Sequence, residues 1–555
     1  MKKNSGTFLT EALIISVSNL ITKVIGVAFK IPLGNMLQNN MEMFTAAYSV
    51  YAMLFMLSNA GLPVALSRSV AVAVAKKRRK EEGRVFWAGV LMFGSIGTVL
   101  MLAMLLGADA IARYSEHADA ALAIRLVAPC LPLVCVSSSL RGFFQGHRIM
   151  VPTAIYHFLE SFFKMVVGLG AAYYATLRGY SAPVKAAYAI LGITAGSLVG
   201  LIFLIICKRI YEKSRGKAVS LETDDYPTIY KNLLKVALPV AATSTALYLS
   251  NFLDTLVIKK GLIASGVAEN VAGRLYTAYT TLALSVSDLL PATFVYPIAI
   301  SILPAITSSV TLGDDKKTRE YMNLSIRISA IIGMPCAFLM LAVARPVLVF
   351  LYGSAWGGSS FMWNGNEVWA VDIAANGLRI LSMGIMFISL LSTTNSLLPA
   401  VKKSYLTTIS VFTGVAALAV TEIVLIRIPA IGIYGAPIAS VVCYAVELAM
   451  NMNFLRKLGY IKNSYARLFA VPLMCSLICG ITSLSAVIIT SAIFNADRRF
   501  GAFAVMCAGG LVGAATYVFT LVAFGGITAQ EIRLLPKGAK LCEFMLKKGW
   551  ITEKR

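Results

Sequence analysis

The sequence predicts an all-α integral membrane protein: fourteen transmembrane helices, set in two six-helix lobes with pseudo-two-fold symmetry, plus two C-terminal helices. Three observations predict it. The 555 residues are 58% apolar and only 14% charged, with a mean hydropathy of +0.76, whereas soluble chains carry about a quarter charged residues. Fourteen apolar runs reach the roughly 20 residues that cross a bilayer core. The first six of them share an ordered set of anchors with the next six.

The elements follow in order. The run at 8–34 comes after Lys2 and Lys3 and carries Lys23 and Lys30. It lacks the short apolar core and small-residue cleavage site of a signal peptide, so it is expected to be a retained helix. The second, 44–74, holds Tyr48, Tyr51 and Pro63 and runs into the loop KKRRKEEGR at 76–84. The third, 85–112, ends at Arg113-Tyr114, and the fourth, 120–143, carries Arg125 and leads into RGFFQG at 141–146. The fifth, 153–177, holds Glu160 and Lys164, whose spacing of four pairs them along one helix face. The sixth, 186–207, carries the stripe Gly192, Gly196 and Gly200, a helix-packing face. The seventh, 236–258, holds Ser250, Asn251 and Asp254. The eighth, 275–310, contains Pro291, Pro297 and Pro304 and is the run expected to break, at a place where neighbouring helices satisfy the freed backbone groups. The ninth to twelfth, 328–352, 368–399, 404–426 and 432–455, hold Arg379, Glu422 and Glu447 among apolar residues. Runs at 468–494 and 500–527 complete the set.

Charge sets the expected orientation, because cytoplasmic loops hold the Lys and Arg excess. Of the 50 basic residues, 34 fall in the termini and alternate loops, with Arg141 counted in the loop 141–152, ten in or beside the opposite loops, with Arg345 counted there, and six elsewhere in the runs. Both termini are therefore expected in the cytoplasm of a multi-pass cell-membrane protein. The formal net charge of +24 then reflects topology and calls for no nucleic-acid partner.

The two halves match at successive anchors. Ser18-Asn19 corresponds to Ser250-Asn251, Tyr48-Ser-Val-Tyr51 to Tyr276-Thr-Ala-Tyr279, and Pro63-Val-Ala-Leu-Ser67 to Pro297-Ile-Ala-Ile-Ser301. Further along, Arg113-Tyr114 meets Leu351-Tyr352, Ile124-Arg125-Leu126 meets Leu378-Arg379-Ile380, and RGFFQG at 141–146 meets NSLLPA at 395–400. Matched runs cross the membrane in the same direction, which is a parallel repeat about an axis along the membrane normal. The expected division is an N-lobe at 1–210, a linker at 211–235, a C-lobe at 236–456, two extra helices in 457–527 and a basic tail at 528–555.

Several segments carry a family resemblance: SNLITKVIGVAFK at 18–30, AGLPVALSRSVAVAVAKK at 60–77 and RGFFQGHRIMVPTA at 141–154. With the twelve-run repeat and two extra helices, they resemble the SpoVB/MurJ-like polysaccharide transporters of the MOP superfamily, which also holds the MATE drug exporters and the Wzx flippases. The resemblance covers nearly the whole chain. It implies a MATE/MurJ-like flippase that moves an undecaprenyl-pyrophosphate-linked saccharide, lipid II foremost, from the inner to the outer leaflet by alternating access, for peptidoglycan or spore cortex synthesis. It also implies a cationic cavity lined by helices 1, 2, 7 and 8, and a lipid-tail groove beside helices 13 and 14. An arginine of the family's first helix falls at Lys23, which keeps the charge and loses the two-pronged contact to phosphate oxygens. A second basic position falls one residue from Lys30.

Ionisable groups inside a membrane need a cavity, a partner or an interface, since each costs about 2.5 to 3.5 kcal/mol at mid-bilayer. Lys23, about fifteen residues into its run, is beyond reach of the cytoplasmic surface and is expected to face a cavity. Lys30 and Arg68 are candidates for the same substrate site or for interfacial anchors. Asn19 and Asn251 are the polar neighbours the repeat supplies. Asp254 takes the repeat position of Thr22, beside Lys23, and is expected to pair with Lys23 until substrate or a coupling cation displaces it. Asp288 opens the broken part of the eighth run, where it binds a cation with freed carbonyls or caps the helix. Arg125 and Arg379 are expected to be symmetric anchors.

The nine cysteines read as small apolar residues, and His117, His147 and His157 are too scattered for a metal set. No phosphate-binding Gly loop or catalytic triad pattern occurs, so neither cofactor nor enzymatic site is expected. The expected partners are a lipid-linked oligosaccharide, membrane lipids, a coupling cation and cell-wall synthesis proteins, with the chain itself a monomer. Four other readings stand beside this one. A MATE-type cation antiporter would need a carboxylate-lined site, a glycan polymerase a large outer loop with catalytic bases, and a scaffold for wall assembly neither; export of another polyprenyl-linked polysaccharide unit would use the same site.

Overall fold

Long apolar segments whose backbone groups must be satisfied in lipid fold as helices, and the computed structural model of the chain is helical almost throughout. It describes residues 18, 21–22, 24–26, 28–59, 61–76, 78–147, 149–214, 224–287, 306, 309–310, 313–358, 360–401, 403–461 and 465–528. Among the described residues ten helices are long and apolar enough to span a membrane, which makes the chain a multi-pass membrane protein. The chain divides into two compact units, Met1–Lys260 and Gly261–Arg555.

The first unit holds α1 (Val24–Leu37), α2 (Met41–Asn59), α3 (Gly61–Ala75), α4 (Arg79–Tyr114), α5 (Ala121–Val127), α6 (Cys130–Gly146), α7 (Val151–Leu177), α8 (Ala182–Ser214) and most of α9 (Tyr226–Ala264). The second and fourth apolar runs thus each comprise two helices; α5 and α6 meet beside Pro129 and Pro132, where proline removes backbone donors. Helix contacts in lipid depend on close approach, which small residues allow. Gly142 and Gly146 bring α6 onto α3, where an added Cβ would stand 2.8 Å from Leu66 Cβ and 2.7 Å from Val70 Cβ. The stripe on α8 does the same against α7: a Cβ at Gly196 would stand 2.3 Å from the Glu160 carbonyl oxygen.

The second unit continues with α10 (Glu269–Thr277), a π-helical segment at Ala278–Ala283 and α11 (Leu284–Ser287). The eighth run therefore departs from α-helical geometry at 278–283. Its three prolines, where the break was expected, lie outside the described residues. Helices α12 (Asp315–Tyr352), α13 (Ala370–Ala400), α14 (Ser404–Ile426), α15 (Gly435–Lys457), α16 (Tyr465–Ile493) and α17 (Arg499–Ala523) follow. Asp314 caps α12 by accepting from the Lys317 backbone N–H at 3.1 Å, and that bond together with the Lys317 ammonium lowers its carboxyl pKa.

Between α12 and α13 lies an element the apolar pattern does not disclose. Strands β1 (Phe361–Trp363) and β2 (Asn366–Val368) form a hairpin around Asn364-Gly365, both with positive φ (48° and 78°), as a two-residue type I′ turn requires. Arg274 donates to the carbonyls of Gly357 and Ser360 and lies 4.7 Å over the Phe361 ring, while Trp363 packs edge-on against Tyr434.

Candidate functional site

The repeated tyrosine motif builds the first part of the site. Tyr48 and Tyr51 on α2 lie on one face, three residues apart, and their counterparts Tyr276 and Tyr279 are fully buried. Each second tyrosine meets a small polar group within its own unit: Tyr51 Oη lies 3.3 Å from Cys130 Sγ, and Tyr279 Oη 3.0 Å from Ser440 Oγ.

Around Tyr48 three elements of the first unit converge. Lys30 Nζ of α1 lies 6.0 Å over the Tyr48 ring. The next residue, Ser49, shares a 2.6 Å hydrogen bond with Thr255 of α9, and Thr255 also donates to the Asn251 carbonyl. Asp254, beside Thr255, is buried with 3% exposure. The structure thus places Lys30, Asn251 and Asp254 about one α1–α2–α9 junction. Arg68 stands apart, exposed on α3. Lys23, Asn19 and Asp288 lie outside the described residues. At the end of α9, Lys259 Nζ approaches Glu42 Oε2 at 3.7 Å. Next to it His117, in the turn between α4 and α5, is buried, and burial with the Lys259 charge pushes its imidazole down to about 3.

The sequence reading missed a second feature, two buried polar networks built on one repeat position. Arg141 and Asn395 are aligned without a gap in the repeat. Arg141, 3% exposed, donates to Ser138 Oγ at 2.7 Å, lies 5.0 Å over the Tyr156 ring and approaches His157 Nε2 at 3.5 Å. His157 Nδ1 faces Glu160 Oε2 at 3.8 Å, and Ser197 Oγ donates to Glu160 Oε1 at 3.2 Å. Cys130 Sγ in turn donates to Ser197 Oγ at 3.1 Å and meets Tyr51. The i,i+4 pairing of Glu160 with Lys164 does not form. Lys164 Nζ instead lies 5.9 Å over the Phe29 ring, because His157, Ser197 and the close α8 backbone hold the Glu160 side. In the second unit Asn395 Nδ2 donates to Glu447 Oε1 at 2.9 Å, and Asn451 bridges Asn395, Thr394 and Ser410. Only the matching of Arg141 with Asn395 signalled either network in the sequence. Arg125 and Arg379 are exposed and bind Asp109 and Asn376 beside them.

No group of three or more His, Cys, Asp or Glu among the described residues is placed to hold a metal ion. The fold matches solved membrane transporters: a lipid II flippase MurJ in its inward closed conformation (TM-score 0.64, 14% identity, covering 92% of this chain and 98% of that one) and an inward-facing multidrug resistance MATE transporter of the MOP superfamily (TM-score 0.63, 16% identity, 82% and 99%). The chain is thus a multi-pass membrane protein of MATE/MurJ-like fold. The family model described as polysaccharide biosynthesis protein matches residues 8–310, and the chain belongs to that family. Over its whole length it is similar to three proteins of Bacillus subtilis (strain 168). These are the uncharacterized membrane protein YabM (25% identical, 96% of each chain), the lipid II flippase MurJ (22%, 96% of this chain and 98% of that one) and stage V sporulation protein B (24%, 96% and 98%).

Proposed function

We propose that the chain is a flippase that moves an undecaprenyl-pyrophosphate-linked saccharide, lipid II foremost, from the inner to the outer leaflet by alternating access. The observation that carries this reading is the likeness to a lipid II flippase over 98% of that protein's length. The proposed architecture is the full set of fourteen spans with both termini in the cytoplasm. Lys23, with Arg68 and Lys30, engages the pyrophosphate, and Asn19 and Asn251 contribute neutral hydrogen bonds. Asp254 pairs with Lys23 in the empty transporter and yields that partner to substrate or a cation, with Asp288 a second cation ligand. The buried position of Asp254 beside Ser49 and Thr255 supports this role. An inside-negative potential assists outward movement of an anionic headgroup by about 2.3 kcal/mol per charge per 100 mV, so the flippase needs no nucleotide. MATE-type cation exchange finds less support, since the first two runs offer Lys23, Lys30 and Arg68 and only Glu11 and Glu42, at their ends, as the carboxylates an organic cation needs.

Expression in a bacterium depleted of its vegetative lipid II flippase tests the reading. Growth is expected to be restored by the wild-type chain and lost with Lys23→Ala. Rescue only of a sporulation or capsule defect moves the substrate to another polyprenyl-linked glycan.

A further inference from the structure

Glu447 is a buried carboxyl whose chemistry the flippase reading leaves unused. It stands inside a span, on α15, ten residues or about 15 Å short of the helix end at Lys457, and is 2% exposed. Asn395 Nδ2 donates to its Oε1 at 2.9 Å, and among the described residues that bond is the one polar contact Glu447 makes. The partners of Asn395 fix which end of the amide it presents. Its Oδ1 accepts from Asn451 Nδ2 at 2.7 Å, and Asn451 Oδ1 is engaged by Ser410 Oγ at 2.6 Å, so both amide oxygens are taken and an N–H faces the carboxyl. A carboxylate withdrawn from water needs a cation or several donors, and one neutral amide does not offset its desolvation. The neutral acid removes that cost and keeps the bond, because its carbonyl oxygen accepts from Asn395 as the carboxylate would. Glu160 of the first unit differs, with a donor from Ser197 and the Arg141 charge behind His157 to support a carboxylate.

No charge on the helices packed against α15 supplies what the amide lacks. On α14, Gly414 stands opposite Glu447, an added Cβ there being 3.3 Å from Glu447 Cβ, and the acid of that helix, Glu422, is eight residues or about 12 Å further along. Lys403 and Tyr405 lie at the start of α14, five and more residues before Ser410. On α13 the charged residues, Asp372 and Arg379, are sixteen or more residues from Asn395. On α15 itself Cys443 and Tyr444 lie one turn away and Arg456 nine residues away. A metal cation is disfavoured too, because it would meet the Asn395 N–H where it needs oxygen. The polar chain also leads out of the span. Thr407, three residues from Ser410 on the same face of α14 and one turn nearer the helix start at Ser404, is 3% exposed, and its Oγ1 has no hydrogen-bond partner among the described residues. A buried orphan hydroxyl is a position that water satisfies. Thr407, Ser410, Asn451 and Asn395 thus mark a route from the α13–α14 turn to the carboxyl.

We propose that Glu447 is a proton-binding site in the second unit, protonated at rest and exchanging its proton with water along the Thr407–Ser410 face of α14. Release breaks one O–H bond, passes the proton to water and leaves a carboxylate on the Asn395 amide; an ionisable group kept inside a span serves such a step where a glutamine would serve packing alone. The site is independent of the cargo moved. It is tested on the full chain in lipid nanodiscs by infrared difference spectra between about pH 5 and about pH 9, the range in which buried carboxyls release protons. The wild type is expected to show a neutral-carboxyl band that bleaches as pH rises and is missing from Glu447→Gln. Asn395→Ala removes the one donor that steadies the carboxylate, so its midpoint is expected about one to two pH units higher. Exchange of the carboxyl proton for deuterium is expected to slow in Thr407→Val. A spectrum unchanged in Glu447→Gln overturns the proposal, and so does a band bleached by sodium at fixed pH and not by pH, which would assign a metal cation. An unchanged exchange rate in Thr407→Val overturns the route. Should Glu447→Gln fail to fold, Asn395→Ala decides the matter, because the carboxyl stays in place: an unmoved midpoint there overturns the site. Rescue of a flippase-depleted strain is scored separately, so failure of the proton site and failure of the flippase reading are distinguishable.

Discussion

A buried ionisable side chain is informative according to what faces it, and His117 and Arg141 make opposite cases. Arg141 was read from the sequence as part of a basic loop, because a linear pattern shows neither the His157 ring reached from the next helix nor Ser197 from the one after. What was legible was its equivalence to Asn395, and the structure gives that equivalence a meaning. The same position on span four and span ten anchors a network ending on a glutamate, charged in the first unit and built of amides in the second. His117 faces the Lys259 ammonium instead, which opposes a proton on its ring. Its imidazole is held down to about 3, against about 6.5 in the unfolded chain. The unfolded state therefore binds a proton that the folded state refuses, so this stability is complete above about pH 6.5 and is lost as pH falls toward 3. The slope is at most about 1.4 kcal/mol per pH unit. Heat unfolding in detergent, followed by tryptophan fluorescence, is expected to drop more steeply between pH 6.5 and 4.5 for the wild type than for His117→Asn. Equal slopes would assign acid sensitivity to other groups.

At the scale of the element, glycine spacing was the most readable signal and hairpin chemistry the least used. The Gly192, Gly196 and Gly200 stripe was visible as a packing face, and it sets how near α8 comes to the helix bearing His157 and Glu160. Asn364-Gly365 also spelled out its turn, but in a chain of this composition the apolar runs dominate and an eight-residue hairpin carries no hydropathy signal. Packing gives the next prediction. A Cβ at Gly196 would stand 2.3 Å from the Glu160 carbonyl oxygen, a backbone atom that cannot swing aside, so Gly196→Val is expected to cost about 1 to 3 kcal/mol and to part α7 from α8. Gly170, on the exposed side of α7 with nothing within 4 Å of an added Cβ, is the control. Gly170→Ala is expected to be neutral or to stabilise by up to about 1 kcal/mol. Comparing the melting of the two variants separates loss of close approach from loss of glycine as such.

For the molecule as a whole, the distribution of basic residues decides orientation, and the structure sharpens what the count means. The minority of arginines in the loops opposite the basic ones are not idle charges. Arg274 holds the β1–β2 hairpin, Arg345 binds Asp372 and Asp497 at 2.8 Å each, and Arg499 donates to the Tyr352 carbonyl. Arg78, Lys208 and Lys317 of the basic loops are paired in the same way, so pairing is common to both sets and the orienting bias is read from the ratio of 34 to ten itself. The prediction is a fixed topology with both termini inside. A fluorescent protein fused after Arg555 is expected to mature, since that fold forms in the cytoplasm. Alkaline phosphatase, which needs the oxidising outer compartment for its disulfides, is expected to be active when fused after Arg178 and inactive at 555. Phosphatase activity at 555 with fluorescence at 178 would place the pyrophosphate-facing lysines on the wrong side for outward flipping. The inside-negative potential would then oppose the movement of an anionic headgroup that it is proposed to drive.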